Sequence, residues 1–198
     1  MANPPAQPVM RQRGSFNLVR CIAIILLALI VIVGLAILIT WLAIKPKKLD
    51  YTIEDGSVHD FNLNYNHLNG SFDFLIRAHN PNGKLSMYYD SIEVSLAYGH
   101  QTIAFNTLEP FHQPHKNVTR LRTNLVARDI SLSQGAARDM RLDKASGEVE
   151  FYVKLKARIR YKVGAIKLRH QTLKVSCSPL LHFSKYKTFE RTYCDTDL

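Results

Sequence analysis

VEFYVKLKARIRYKV, residues 149–163, alternates apolar and polar side chains without interruption. Its eight apolar residues occupy every second position: Val149, Phe151, Val153, Leu155, Ala157, Ile159, Tyr161 and Val163. Six of the seven intervening residues are charged. Successive side chains of a β-strand point to opposite faces, so the pattern predicts a strand with one buried and one solvated face. Such strands are typical of antiparallel sheets.

Shorter alternating stretches lie on both sides of this segment, at residues 72–78, 92–98, 103–105, 119–125 and 173–177. Turn sequences separate some of them, including Asn80-Pro81-Asn82-Gly83 and Gly99-His100. Only residues 131–142 have a locally helical pattern, which predicts a connection between strands. Six or seven strands without helical crossovers predict an all-β fold, an antiparallel β-sandwich.

An apolar segment precedes the predicted sandwich: residues 21–44 contain no charged side chain. A helix of this length measures about 36 Å, which is enough to cross a hydrocarbon core about 30 Å thick. Arg20 borders one end, and three lysines within residues 45–48 border the other. The segment is longer than the apolar region of a cleaved signal peptide. The sequence therefore predicts a transmembrane signal-anchor helix over residues 21–44.

The balance of basic residues does not set the orientation of this helix, because three arginines precede it and three lysines follow it closely. The first 20 residues are rich in proline and contain no acid, so they predict a disordered cytoplasmic tail. The folded domain must lie within residues 45–198. It contains glycosylation sequons at Asn69 and Asn117, and an oxidising compartment would favour a disulfide between Cys177 and Cys194. These features predict a cytoplasmic N-terminus and an extracellular C-terminal domain.

The charged positions of the central strand form a predicted basic face, which consists of Lys154, Lys156, Arg158, Arg160 and Lys162. Alternate residues of a strand lie about 6.7 Å apart on one side. If Gly164 turns a hairpin, Lys167 and Arg169 could join this face. The chain after the helix holds 23 of the 26 basic residues and all 16 acidic ones, a net charge of +7.

A basic face usually indicates nucleic acid, but the predicted topology removes this domain from the cytosol and the nucleus. Two interpretations remain open. The face could bind an anionic partner outside the cell, such as a pectic wall polysaccharide or anionic lipid head groups. Alternatively, it is a solvated face that keeps the domain soluble.

The sequence contains no recognisable catalytic or cofactor motif. His112 and His115 flank a proline, but no cysteine or carboxylate cluster lies nearby in sequence to complete a zinc site. A nucleophile elbow, a P-loop, a dinucleotide fingerprint and a zincin motif are also missing. We therefore expect a protein that is not an enzyme and that binds no metal or cofactor.

Three segments resemble the signatures of a plant family, the harpin-induced, non-race-specific disease-resistance-like (NHL) proteins. The first is similar to the NPN-to-YYD signature and comprises Asn80, Pro81 and Asn82, followed by Tyr88, Tyr89 and Asp90. The second is similar to the PF-x-Q-x-HKN signature and comprises Pro110, Phe111, Gln113, His115, Lys116 and Asn117. The strand that ends at Arg160–Gly164 resembles the third. Gly83 after NPN and Pro114 before His115 depart from the family pattern.

The resemblance implies an extracellular group 2 late embryogenesis abundant (water stress and hypersensitive response) domain. That domain is a β-sandwich of the fibronectin-III or immunoglobulin-like type. It also implies a plasma-membrane protein of plant defence and stress responses without catalytic residues. The motif residues themselves have the chemistry of turns and buried tyrosines, so they favour a structural role, with partner recognition as the alternative.

Three functions are compatible with the sequence. The first is a non-enzymatic, membrane-anchored protein that binds an extracellular protein or wall component. The second is a lipid-binding or lipid-handling module, for which a long apolar cavity between the sheets would be evidence. The third is protection against dehydration. It is the least compatible of the three, because this chain is patterned and 46% apolar, unlike a disordered hydrophilic protectant. An oligomer is compatible with each of the three.

Overall fold

The computed structural model describes residues 15–44, 47–183 and 188–197. The chain divides into two compact units, residues 1–45 and residues 46–198. The first contains one helix, and the second contains all the strands together with a short helix.

Helix α1 extends over Ser15–Ile44. Its segment Leu18–Ile39 has a mean hydropathy of 3.5 and is long and apolar enough to cross a membrane. The helix begins six residues before the predicted span, so the expectation of a disordered tail up to residue 20 does not hold for residues 15–20. Phe16, Leu18 and Val19 are apolar and continue the helical segment past Arg20. Residues 1–14 of the predicted tail lie outside the described residues.

The second unit is an antiparallel β-sandwich, as the alternation predicts. Its strands are β1 (Asp50–Asn64), β2 (His67–Asn80), β3 (Leu85–Tyr98), β4 (Gln101–Leu108), β5 (Phe111–Gln113), β6 (Asn117–Ser131), β7 (Glu148–Glu150), β8 (Tyr152–Val163), β9 (Ile166–Cys177), β10 (Leu180–His182), β11 (Thr192–Tyr193) and β12 (Asp195–Asp197). A four-stranded sheet has the order β11-β1-β2-β6, and a six-stranded sheet has the order β12-β9-β8-β3-β4, with β5 beside β3. β7 and β10 form a separate pair.

The core lies between the two sheets and is filled by the alternate apolar residues of β2, β3 and β8. Phe72 on β2 packs edge-on against Phe151, with ring centroids 5.1 Å apart. Tyr98 at the end of β3 contacts the same Phe151 ring. Large aromatic side chains in such contact contribute strongly to a core, so this cluster fixes the separation of the two sheets.

The stretch 149–163 forms two strands rather than one. Phe151 interrupts the pairing, because its backbone N–H donates to Pro179 O at 3.0 Å instead of continuing the ladder. Val149 on β7 therefore pairs with Leu181 on β10, while β8 pairs with β3 and β9. The apolar alternation continues through the break because both parts face the same core.

Two further elements differ from expectation. The predicted helix at 131–142 is α2, Gln134–Ser146, which begins after Ser133 because the Ser133 hydroxyl accepts from Ala136 N, and ends at Gly147 with φ of 92°. Strand β1 has no counterpart in the prediction. It is buried at three consecutive residues, Tyr51–Ile53, and a register shift follows at Ile53, so it lacks a regular alternation.

Candidate interaction site

The basic face lies on the outward side of the six-stranded sheet. Its lysines and arginines alternate along β8 with residues that are almost completely buried, including Val153, Leu155 and Ile159. Because β8 lies between β3 and β9, the face continues onto both neighbours. Lys156, for example, is opposite Glu93 on β3 and Lys174 on β9. The face is thus built on an inner strand of a rigid sheet.

Arg160 is neutralised within this face. Its guanidinium donates two hydrogen bonds to Asp90, with 2.9 Å between Nε and Oδ2, and His170 Nδ1 lies 3.1 Å from the same carboxylate. The hydrogen bond from Arg160 lowers the pKa of Asp90, and the same bond raises the pKa of Arg160. Bidentate pairs of this kind fix both side chains. Arg160 and Asp90 of the YYD motif are therefore a structural pair.

The other charges in the middle of the face are available to a partner. Within the part of the chain that the structure describes, no acidic side chain lies at ion-pair distance from Lys154, Lys156 or Arg158. On the four-stranded sheet, Arg120 and Arg77 lie near Glu54, at 2.7 and 3.6 Å, while Arg122 and Arg128 are exposed. Lys154, Lys156 and Arg158 differ in that they occupy consecutive outward positions of one strand.

A cleft of about 520 Å³ opens beside these charges. Lys156 and Arg158 line one side, and Glu93 and Thr107 lie among the residues of the other strands that line it. The chain is irregular here because the register of β3 against β8 shifts between Tyr89 and Ser91. The cleft combines cations, carboxylates and hydroxyls, which suits a ligand that carries both acid groups and hydroxyls.

The remaining cations, Lys162, Lys167 and Arg169, lie near the β8–β9 turn at Gly164, where φ is +56°. Gly164 does turn the hairpin, and Lys167 pairs in register with Lys162. Both lysines lie over the Tyr88 ring, at 5.9 and 5.1 Å from its centroid. Arg169 lies where the register of β9 shifts, so it does not continue the regular row.

The NPN motif is a buried hydrogen-bonding centre. Asn80 donates to Leu85 O at 2.8 Å and to Pro114 O at 3.0 Å, and its Oδ1 accepts from the backbone and side chain of Asn82. Asn82 in turn accepts from Lys47 N at 2.7 Å and donates to Lys47 O at 3.0 Å. The motif thus joins both sheets and holds the peptide of Lys47.

The YYD motif contributes a second link across the core. The hydroxyls of Tyr89 on β3 and Tyr51 on β1 are 2.5 Å apart, and Tyr89 donates to Gln113 Oε1 at 3.1 Å. Gln113 Nε2 donates to Ala78 O on β2 at 2.9 Å. Burial raises the pKa of Tyr51 and of Tyr89, so both phenols stay protonated. Phe111 stacks on Tyr89 with ring centroids 4.3 Å apart.

Comparison with known proteins agrees with these motifs. The family model described as late embryogenesis abundant protein matches residues 75–178, more than half of the chain. The Arabidopsis thaliana protein named NDR1/HIN1-like protein 3 is 33% identical over 87% of this chain and 78% of its own length. The chain belongs to the NDR1/HIN1-like family. NDR1/HIN1-like protein 10, also from Arabidopsis, is 30% identical over 89% of this chain and 82% of its own length. The Arabidopsis protein At1g08160, uncharacterized by name, is 40% identical over 92% and 85%.

The NDR1/HIN1-like chain has a larger sandwich than the segment matched by the late embryogenesis abundant model. The matched segment begins within β2 and ends just after β9, so β1, β11 and β12 lie outside it. Tyr51 lies on β1 and Lys47 precedes that strand, while Cys194 lies between β11 and β12. Sequence reasoning did not identify Lys47, Tyr51 or Gln113 as motif partners. The position of Gln113 within the second motif was a signal for it, but its burial became visible only in the folded sheet.

The other predicted sites of the NDR1/HIN1-like chain are distributed over the sandwich. Asn69 is exposed, and its Oδ1 accepts from Asp129 N at 2.8 Å, while Asn117 is half-buried at the start of β6. Pro110, His115 and Lys116 are exposed, so these motif positions lie at the surface. Glycosylation of either asparagine remains a prediction.

Cys177 and Cys194 form a disulfide. Cys177 ends β9 in the six-stranded sheet. Cys194 lies between β11 and β12, which pair with different sheets, and its backbone N–H donates to Tyr51 O at 3.1 Å. The bridge therefore fixes the C-terminal segment where it passes from one sheet to the other. Among the residues described, no group of three or more histidines, cysteines or carboxylates is arranged to hold a metal ion.

Proposed function

We propose that this NDR1/HIN1-like chain is a non-enzymatic, plasma-membrane-anchored binding protein of plant defence and stress responses, and that its basic face binds an anionic polysaccharide of the cell wall. The observation that carries the proposal is the row of three cations without an ion pair, Lys154, Lys156 and Arg158, of which the last two line an open cleft. Their regular spacing suits a polymer that presents repeated negative charges.

The chemistry of the cleft supports a carbohydrate in particular. A pectic polymer carries carboxylates and hydroxyls on each sugar. Lys156 and Arg158 would bind the carboxylates. Glu93 would accept hydrogen bonds from the hydroxyls, and the Thr107 hydroxyl could both donate to them and accept from them. Arg160 would not bind the polymer, since its guanidinium already donates two hydrogen bonds to Asp90.

Three features support an extracellular position for this face. The apolar helix α1 suggests a membrane anchor, and the domain that follows it contains a disulfide and two sequons. Under this proposal the N-terminus is cytoplasmic and the sandwich lies on the wall side of the plasma membrane. Direct binding of a defence protein would be a second use of the same surface.

The lipid-handling alternative receives less support. The space between the sheets is occupied by tightly packed side chains, among them Phe72, Phe151 and Leu96, which are completely buried. An acyl chain between the sheets would have to displace this cluster, at a cost of several kcal/mol for large aromatic side chains.

Reversal of two charges in the middle of the face tests the proposal. For the Lys156→Glu/Arg158→Glu variant of the full-length chain in nanodiscs, we expect affinity for immobilised polygalacturonate to fall about 10- to 100-fold at physiological salt. Binding of the unchanged protein should also weaken as salt is raised, because exposed charges are screened.

A matched control carries the same change in net charge on the other sheet. Arg122→Glu/Arg128→Glu alters two exposed arginines of β6 and should leave the affinity nearly unchanged. Equal losses of affinity in both variants would show that net charge alone, and not this face, determines binding. No loss in the Lys156→Glu/Arg158→Glu variant would refute the assignment of this face.

A further inference from the structure

One end of the sandwich is defined by strand register. Asp50 at the start of β1 pairs with His79, Asn80 at the end of β2 pairs with Asn117, and Leu85 at the start of β3 pairs with Val163. The β8–β9 turn therefore lies at the same end as the NPN motif. We call this end the proximal end, because the chain enters the sandwich there.

The chain is held tightly at this point of entry. Asn82 binds both the N–H and the carbonyl of Lys47, and Leu49 is almost completely buried. Lys47 follows the last residue of α1, Ile44, by three positions.

The β8–β9 hairpin exposes apolar side chains at this same end. Ile166 is 67% exposed and Leu168 is 46% exposed, and both lie in the part of β9 where every residue from 166 to 172 is exposed. Ile166 lies two strand spacings from Leu85, a distance of about 10 Å. Exposed aliphatic residues at the tip of a hairpin favour contact with an apolar phase.

Basic residues surround these apolar side chains. Lys167 and Arg169 alternate with them along β9, and Lys162 lies opposite Lys167. Four more exposed lysines lie in the segments that meet at the proximal end: Lys47, Lys48, Lys84 and Lys116. The same combination of aliphatic and basic side chains binds peripheral proteins to anionic bilayers.

We propose that the proximal end docks onto the bilayer that anchors the chain. Ile166 and Leu168 insert among the head groups, and the surrounding lysines and Arg169 bind anionic phospholipid phosphates. This inference goes beyond the proposed function, since it uses the tip of the β8–β9 hairpin, shares only Lys162 with the basic face and requires only the anchor. Docking would leave Lys154 about 30 Å along β8 from Val163, away from the bilayer and available to a wall polymer.

Fluorescence quenching by lipid measures the docking directly in the full-length chain. A Cys21→Ser background leaves the disulfide intact and permits a single label at Ala165→Cys in the β8–β9 turn, or at His100→Cys in the β3–β4 turn at the opposite end of the sheet. In nanodiscs with anionic phospholipid and nitroxide-labelled head groups, we expect the label at 165 to be quenched at least about threefold more strongly than the label at 100. Equal quenching of the two labels would overturn the proposal.

Two pairs of substitutions identify the contacts. Ile166→Asp/Leu168→Asp should reduce quenching at 165 to the level seen at 100. Lys167→Glu/Arg169→Glu should abolish the difference between anionic and zwitterionic nanodiscs, since each cation near an anionic bilayer changes binding about fivefold. Equal quenching of the unchanged chain in both lipids would overturn the role of the phosphates.

Lys154→Glu/Lys156→Glu, with the same change in charge, is the matched control and should leave the quenching unchanged. An intact Cys177–Cys194 bridge and an unchanged near-ultraviolet circular dichroism spectrum would show that each variant is folded. Binding of polygalacturonate is measured separately, so failure of the docking proposal and failure of the proposed function give different results.

Discussion

Replacement of Asn80 by alanine is expected to lower the free energy of unfolding of the sandwich by about 3–5 kcal/mol, because several buried hydrogen-bonding groups lose their partner at once. Asn80 is completely buried and makes four hydrogen bonds, to Leu85 O, to Pro114 O and to two groups of Asn82. A buried donor or acceptor left without a partner costs more than the bond itself contributes. Denaturant unfolding of the full-length chain in detergent micelles, followed by near-ultraviolet circular dichroism, measures the change.

Asn64→Ala provides the matched control for this experiment. Asn64 is an exposed asparagine at the end of β1, so its replacement should change stability by no more than about 0.5 kcal/mol. If Asn80→Ala and Asn64→Ala had the same small effect, the NPN motif would not be a structural centre. Its place in the family pattern would then have to be explained by partner recognition.

Loss of the disulfide is expected to have the second largest effect. The bridge closes a loop with a sequence separation of 17, for which chain entropy alone predicts about 3 kcal/mol of stability. In the Cys177→Ser/Cys194→Ser variant, strands β11 and β12 would also be held to their sheets by a few backbone pairs only. We expect a loss of about 3 kcal/mol, together with faster hydrogen exchange in Thr192–Tyr193 and Asp195–Asp197.

Cys21→Ser is the control, because it replaces a cysteine by serine without removing a disulfide. Cys21 is exposed on α1 and belongs to no disulfide, so its replacement should leave the unfolding of the sandwich unchanged. Unaltered stability and unaltered exchange in the double variant would show that the bridge does not hold the C-terminal segment.

The alternation in residues 149–163 was sufficient to predict the sandwich and the basic face, because burial on one side of a strand directly imposes a period of two. Strand β1 was not predicted. Two of its three consecutive buried residues, Thr52 and Ile53, pair with β11, which lies far away in sequence, and its register against β2 shifts directly after Ile53.

The sequence could also not reveal how the motif residues are partnered. Tyr51 and Tyr89 are 38 residues apart, and Asp90 and Arg160 are 70 apart. Periodicity places Arg160 correctly on the basic face, but only the folded sheet shows that Asp90 neutralises it. The positive charge that is free to bind a partner therefore lies in the half of β8 that is farther from the β8–β9 turn, at Lys154, Lys156 and Arg158.

Under the proposed function the sandwich lies outside the cell, and binding of a wall polymer depends on this position. Glycosidase mobility shift and protease protection on microsomes from cells that express the intact chain measure on which side of the membrane the sandwich lies. We expect a glycosidase-sensitive shift that Asn69→Gln/Asn117→Gln abolishes, and a domain that resists protease until the membrane is opened. A domain that carries no glycan and is digested in sealed microsomes would place the sandwich in the cytosol and contradict the proposed function.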